Sequence, residues 1–514
     1  MAGPSAANVA APKGGVLTVG ALGAFDNFNP FILRGNAPDT VWQVWQPLFK
    51  FSDTDNVTEY AEVARAVRVR PGAVTFLLDP RARFSDGVRV TSADVVWTYR
   101  TLVAQGLPLY AAEYGQVAGV RAPDDETVVF TLKAGAGPDT VFNLAGMDVL
   151  PEHFWAGRDF SAPLRDFPVG SGPYRVTGVS WGSSVSYAHV RDWWAAGLPV
   201  DTGADNFDGV TELFFQDKAV EAQAFRAGLL DVLVGAEPGA EPGVAVARLP
   251  LGLPEGMRGL VMNTRRAAFA DVRVRQALTL AFDFGWVNRA LLGGRAVRCD
   301  SYFGNTGMAA GLALPVTDGS GFEAAELARA MTLLNAAGWR VRDFALVNAA
   351  GEPMRIEILL DDPGDERMVM AYAHDLGLLG IGVDVRELDG ASYARRVQGF
   401  DFDMTEAAFP VSGYPGSEQA GYFGCADADT PGSENLAGVC DPAVEAAIGL
   451  VLSARDFAGK KAAVQALDAA LLRGYYVVPW FYLPEVTVAW WQNRVAKPEA
   501  AVVMGVDLSL WWAR

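Results

Sequence analysis

Histidine chemistry needs ring nitrogens brought together, yet this sequence holds only His153, His189 and His374, with no pair one helical turn apart and no HExxH. They read as isolated surface or core side chains. A serine nucleophile fares no better. Val169-Gly170-Ser171-Gly172-Pro173 lacks GxSxG spacing, and Pro173 has no N–H to offer an oxyanion. It reads as a turn before a strand. Neither GxxxxGK[ST] nor a GxGxxG opening a helix is present, which removes the usual routes to nucleotide binding. Asp427, Asp429 and Gly432 match three positions of a calcium loop, but Pro431 and Gly438 stand where ligands belong. A solvated turn accounts for them. No pair stands out among the 60 acidic residues as a general acid and base. Neither a metal site nor a cofactor is expected, and the chain does not read as an enzyme.

Binding is better supplied. The chain carries 14 Trp, 14 Tyr and 28 Phe, most of them core material. In the run from Phe409 through Val411, Ser412 and Tyr414 to Glu418, aromatics alternate with turn residues, so burial competes with exposure. That run is the favoured ligand contact. Cys425 and Cys440 bracket a Gly/Asp/Pro-rich loop. A bridge there would contribute about 3 kcal/mol; the alternative is three reduced, buried cysteines. Cys299 stays unpaired in either case.

The elements that must position these residues alternate. Val16 to Ala21 reads as a strand running into the loop Gly23 to Phe31, and loops after strand ends are where α/β sheets meet ligands. Val67 to Asp79 alternates around Pro71-Gly72 as a hairpin, with Val74, Phe76 and Leu78 on one face. Thr91 caps a helix answered by Asp94. Asp217, Asp271 and Asp441-Pro442 open further helices, and Arg355 to Leu360 and Gly382 to Leu388 are strands around a helix near Met368 to Leu379. Such alternation implies an α/β fold.

At 514 residues the chain exceeds the roughly 250 to 300 that one core serves, so two lobes are expected. A formal charge of −18 disfavours nucleic acid and anionic membranes as partners. No run reaches the ~18 apolar residues of a membrane span. Residues 1–12 lack a basic and an apolar region, and read as a flexible spacer left after removal of an export signal.

Several segments together resemble the extracellular solute-binding proteins of family 5, the peptide-binding class of ATP-driven importers. They are Pro47-Leu48-Phe49, Phe76 to Trp97, Gly170 to Arg175, Met262-Asn-Thr264 and Phe269 to Leu278. Asn29-Pro30-Phe31, Asn206-Phe207-Asp208, Ser301 to Asn305, Pro415 to Gln419 and Gly432 to Asn435 are most similar to the YejA type. The resemblance implies a two-lobed periplasmic-binding-protein fold (type II, cluster C) with a ligand cleft between lobes. Lobe I would span 13–265, with an extra subdomain near 50–200, lobe II 266–485, and 486–514 would return to lobe I. It also implies a periplasmic monomer that captures short peptides or peptide-like compounds by hinge closure and delivers them to an inner-membrane permease. An oligosaccharide, opine or other conjugate is the alternative cargo, and a periplasmic hydrolase the remote one.

On this resemblance the ligand pairs with backbone near Ala407 to Gly413. Asn27, Phe28 and Asn29 contribute from lobe I, and Phe409, Val411, Ser412, Tyr414, Glu418 and Asn435 from lobe II. Many peptide binders of the family place an acid after an aromatic on the pairing segment to hold the ligand's ammonium. Residues 407–414 contain none, so either Glu418 takes over or the ligand has a blocked or absent amino terminus.

Overall fold

Period-2 alternation gives the hairpin directly. Val74, Phe76 and Leu78 are buried on Ala73–Leu78, which pairs with Ala64–Arg70 and with Thr127–Leu132 in a four-stranded sheet closed by Val117–Asp124. The helix Ser92–Gln105 follows Thr91, whose N–H and hydroxyl both donate to the Asp94 carboxylate. The computed structural model describes residues 5–55, 58–134, 136–253, 255–314, 319–321, 324–360, 363–388 and 390–514.

The described residues form two units. One comprises the chain up to Gly252 together with Glu485–Arg514; the other is Leu253–Pro484. Residues 253–265, expected with the first lobe, belong to the second unit because Met257–Met262 pairs with strands that all lie later in the sequence.

In the first unit Val16–Leu22 runs parallel to Gly209–Phe215, which continues antiparallel to Ser184–His189 and then Tyr174–Ser180. A third sheet places Glu485–Trp491 between Val232–Val234 and Val244–Pro250. The Gly170-Ser-Gly-Pro turn is tightly packed: a β-carbon on Gly170 or Gly172 would collide with the carbonyl oxygens of Val44 or Gln43. The expectation of a flexible spacer over residues 1–12 changes from Ser5 onward. Ser5 Oγ and the Ala6 N–H donate to Asp53 at 2.6 and 3.0 Å, and Ala6 is buried beside Ala204, Val502 and Leu510. Small residues that lack a helix or strand signal can still dock where a carboxylate accepts their N–H groups.

The second unit is built on a five-stranded sheet, in the order Gly382–Glu387, Arg355–Leu360, Met404–Phe409, Met257–Met262 and Val477–Pro479. Its first two strands are parallel and joined by the helix Glu366–Leu378, the expected strand and helix alternation. Asp271, Asp441 and Asp456 each accept backbone N–H groups at the start of a helix. Among the described residues no helix is long and apolar enough to cross a membrane.

Candidate functional site

The segment favoured from sequence begins where a central strand of the second unit ends. Phe409 closes Met404–Phe409 opposite Met257, and Gly256 must be glycine there because a β-carbon would strike the Phe409 carbonyl. Pro410 has no N–H to continue the ladder. Beyond it the N–H and C=O groups of Val411, Ser412 and Gly413 have no partner among the described residues. Unpaired backbone next to a paired strand is a template for an added strand.

The surrounding side chains hold this segment in place. Phe409 is buried against Tyr302, Tyr422 and Phe423, with ring centroids 6.0, 5.8 and 5.1 Å away. Val411 packs on the same cluster, and the Ser412 hydroxyl accepts the Tyr414 N–H at 3.2 Å. The Tyr414 ring lies 4.8 Å from Lys460 Nζ, a buried ammonium that donates to the carbonyls of Pro415 and Val451. Glu418 turns back on its own loop, accepting the Gly416 N–H at 2.9 Å and Gln419 Nε2 at 3.1 Å. Glu406, one residue before the stretch without acids, accepts Arg258 Nε at 2.9 Å.

Asn435 is not positioned for a ligand. Fully buried, it donates to the carbonyls of Gly424 and Val439 and accepts the Val439 N–H, clamping the loop that the Cys425–Cys440 disulfide closes. Arg265, missed from sequence, reaches the same loop, donating to the carbonyls of Ala428, Asn435 and Leu436 while lying 3.6 Å over the Phe400 ring. Its neighbours Asn263 and Thr264 bond the carbonyls of Phe400, Phe402 and Ala437. The Met262-Asn-Thr264 signature thus ties the sheet to the loop.

The three residues expected from the first unit are internal as well. Asn27 accepts the N–H groups of Asn29 and Leu164 and donates to the carbonyls of Asn29 and Arg34, which uses its hydrogen-bonding capacity. Asn29 donates to the Phe160 carbonyl, and its oxygen accepts the Phe31 N–H. Phe28 is buried against Phe25, Phe167 and Trp181. These residues shape a loop, because a buried amide must be satisfied and the nearest donors and acceptors are main-chain groups.

The first unit also encloses charge. Lys50 Nζ lies 2.9 Å from Asp201 Oδ1, beside Glu62, whose Oε1 accepts Gln46 Nε2. Burial, and then the negative charge of Asp201, hold the Glu62 carboxyl well above the ordinary carboxylate range. Among the described residues no group of three or more His, Cys, Asp or Glu side chains could hold a metal ion.

Comparison with known proteins agrees with this architecture. The model of the bacterial extracellular solute-binding proteins, family 5, matches residues 66–428. A binding protein of Brucella suis is 35% identical over 98% of this chain and 90% of its own. YejA of Agrobacterium fabrum, which carries a peptide-binding name, is 32% identical over 98% and 90%. The peptidoglycan-binding protein YepA of the same organism is 31% identical over 97% and 90%. Among solved structures, the oligopeptide-binding protein AppA of Bacillus subtilis with a nonapeptide superposes with a TM-score of 0.75 at 18% identity, covering 98% of this chain and 100% of its own. NikA of Brucella suis with Fe(III)-EDTA gives 0.81 at 19%, covering 97% and 100%. The chain belongs to the bacterial extracellular solute-binding proteins of family 5, with YejA among its relatives, and it has their two-lobed α/β fold.

Proposed function

We propose that this protein captures short peptides or peptide-like compounds in the periplasm and delivers them, as a monomer, to the membrane permease of an ABC importer. The observation that carries the reading is the unpaired backbone of Val411, Ser412 and Gly413, which continues a sheet strand in the second unit. A ligand backbone adding to it gains main-chain hydrogen bonds that do not depend on side-chain sequence, as a binder of varied peptides requires. The peptide-binding name of YejA and the nonapeptide held by AppA support the same cargo. Tyr414 and Glu418 set the shape of the segment, through Lys460 and Gly416 respectively. Closure on the ligand belongs to this reading, and would lower the radius of gyration in solution scattering when ligand is added.

One relative favours a narrower cargo. The peptidoglycan-binding name of YepA points to peptide–sugar conjugates, in which a short peptide is joined to an aminosugar. Thermal melting separates the two. The protein, stripped of copurified ligand by unfolding and refolding, is heated with a pool of short peptides, a pool of oligosaccharides, or peptidoglycan fragments carrying both parts. A ligand at a thousandfold its Kd stabilises by about 4 kcal/mol and raises the Tm by several degrees. A shift with free peptides supports the general reading, a shift only with the fragments supports the conjugate, and no shift with either overturns both.

A further inference from the structure

A cavity of about 190 Å³ opens in the first unit, lined by the rings of Phe31, Phe51, Tyr110, Tyr114 and Phe142, with Asp148 among them. The backbone fixes where Asp148 stands. It forms an antiparallel bridge with Pro47, flanked by Leu48 N–H to the Met147 carbonyl at 3.1 Å and Val149 N–H to the Gln46 carbonyl at 2.9 Å. Its carboxylate accepts no hydrogen bond among the described residues, and no lysine or arginine acts on it. Half-buried, the carboxylate is partly withdrawn from water with no opposite charge of the protein beside it, which leaves room for a ligand as its partner.

The wall around it narrows what that partner can be. Tyr110 and Tyr114 stack at 6.1 Å with an interplanar angle of 14°, and Phe31 lies 6.4 Å from Tyr110. Asp148 and Glu113 are the two carboxylates on a wall otherwise dominated by rings, and among the described residues no group of three or more His, Cys, Asp or Glu forms there to give a hard metal cation the oxygen ligands it needs. An anion would be repelled, and a neutral apolar molecule would leave the carboxylate without a counter-charge. A weakly hydrated organic cation meets both demands, since ring faces attract it and the carboxylate neutralises it. The volume falls below the roughly 300 Å³ at which drug-sized pockets begin, so there is room for one head group.

We propose that this cavity binds a small organic ammonium, with Asp148 as its counter-ion. The site lies in the first unit and does not depend on the peptide reading, which rests on the second. Burial pushes the Asp148 carboxyl up to about 7, so it is neutral in acid and charged in mild alkali. The other titratable groups bordering the cavity are Glu113, Tyr110 and Tyr114. Burial raises both tyrosines, which stay neutral throughout this range.

Calorimetry on the full chain tests the site with choline and n-butylammonium, each against a neutral isostere, 3,3-dimethylbutan-1-ol and butan-1-ol. We expect at least one cation to bind at least tenfold more tightly than its isostere, and to tighten by about tenfold from pH 6 to pH 8 as Asp148 ionises. Asp148→Asn should abolish both the preference and the pH dependence. If that variant does not fold, the wild-type comparison of cation with isostere decides alone. Equal binding of cation and isostere, affinity independent of pH, or no binding of either cation overturns the proposal.

Discussion

Glu62 and Asp201 lie within hydrogen-bonding reach of each other, and each keeps one buried carboxylate oxygen with no other partner among the described residues. Two carboxylates in contact cannot both be charged without large cost, so the arrangement calls for one shared proton. Glu62, held well above the ordinary carboxylate range by burial and then by the charge of Asp201, carries that proton, and Lys50 Nζ lies 2.9 Å from Asp201 Oδ1. Burial opposes the charge on Lys50, but the carboxylates of Asp201, Asp205 and Glu62 outweigh it and keep the ammonium protonated.

Stability should therefore fall as pH rises. The folded state holds a proton on Glu62 that the unfolded chain releases above about pH 4.3. This contribution is complete in acid and is lost as pH climbs toward the raised folded value. Asp205, pushed up to about 7 by burial, adds a loss of the same sign between about pH 4 and 7. Glu62→Gln supplies a permanent donor to Asp201 and should flatten the decline, with a gain on the order of 1 to 3 kcal/mol at pH 8. Melting curves at pH 5 and pH 8 measure this; parallel behaviour of variant and wild type would mean that no proton is shared.

Ser412→Pro removes an N–H that has no partner in the free protein. Because the change also removes the hydroxyl that accepts the Tyr414 N–H, Ser412→Ala is its control, and relative to that control peptide affinity should fall by roughly five- to tenfold, the worth of about one main-chain hydrogen bond. Titration calorimetry reads the loss. Undiminished affinity in a folded variant would remove strand addition at this position.

Asn435→Ala removes three hydrogen bonds inside the disulfide loop and leaves the Val439 N–H and carbonyl unsatisfied, while the Gly424 carbonyl keeps the Asp427 N–H. We expect about 2 to 4 kcal/mol of destabilisation by chemical denaturation. Cys440→Ser should cost about 3 kcal/mol. Because both changes loosen one loop, the double variant should lose less than the sum. Strict additivity would show that the amide and the disulfide act separately.

Gly172→Ala places a methyl group against the Gln43 carbonyl, with no flexible side chain to yield. Several kcal/mol of destabilisation, or failure to accumulate as folded protein, is expected from expression and melting assays.

What could be read from the sequence is what depends on near neighbours. The hairpin at Ala73–Leu78 follows from alternation, and Thr91 with Asp94 or Asp441 with Pro442 declare their helices within one turn. The run from Phe409 to Glu418 is legible as aromatics among turn residues, whereas the unpaired backbone that follows Met404–Phe409 is not. The roles of Asn27, Asn29 and Asn435 were hidden because an amide in a turn looks the same whether it meets a ligand or its own loop. Leu164, Phe160 and Val439 decide the matter, and two of them lie more than a hundred residues away from the amide they satisfy. Met257–Met262 likewise joins its unit through strands about 150 and 220 residues downstream, beyond any local signal.

The return of the chain into its first unit bears on how the protein is made. Glu485–Trp491 is the middle strand of its sheet, flanked by strands that leave the ribosome more than two hundred residues earlier. Until Glu485–Trp491 emerges, Val232–Val234 and Val244–Pro250 lack the strand that joins them, while Leu253–Pro484 is contiguous and has already been made. A nascent chain of this design cannot complete that sheet before Glu485–Trp491 is made, so the first unit reaches its full fold only after the whole of the second has been synthesised.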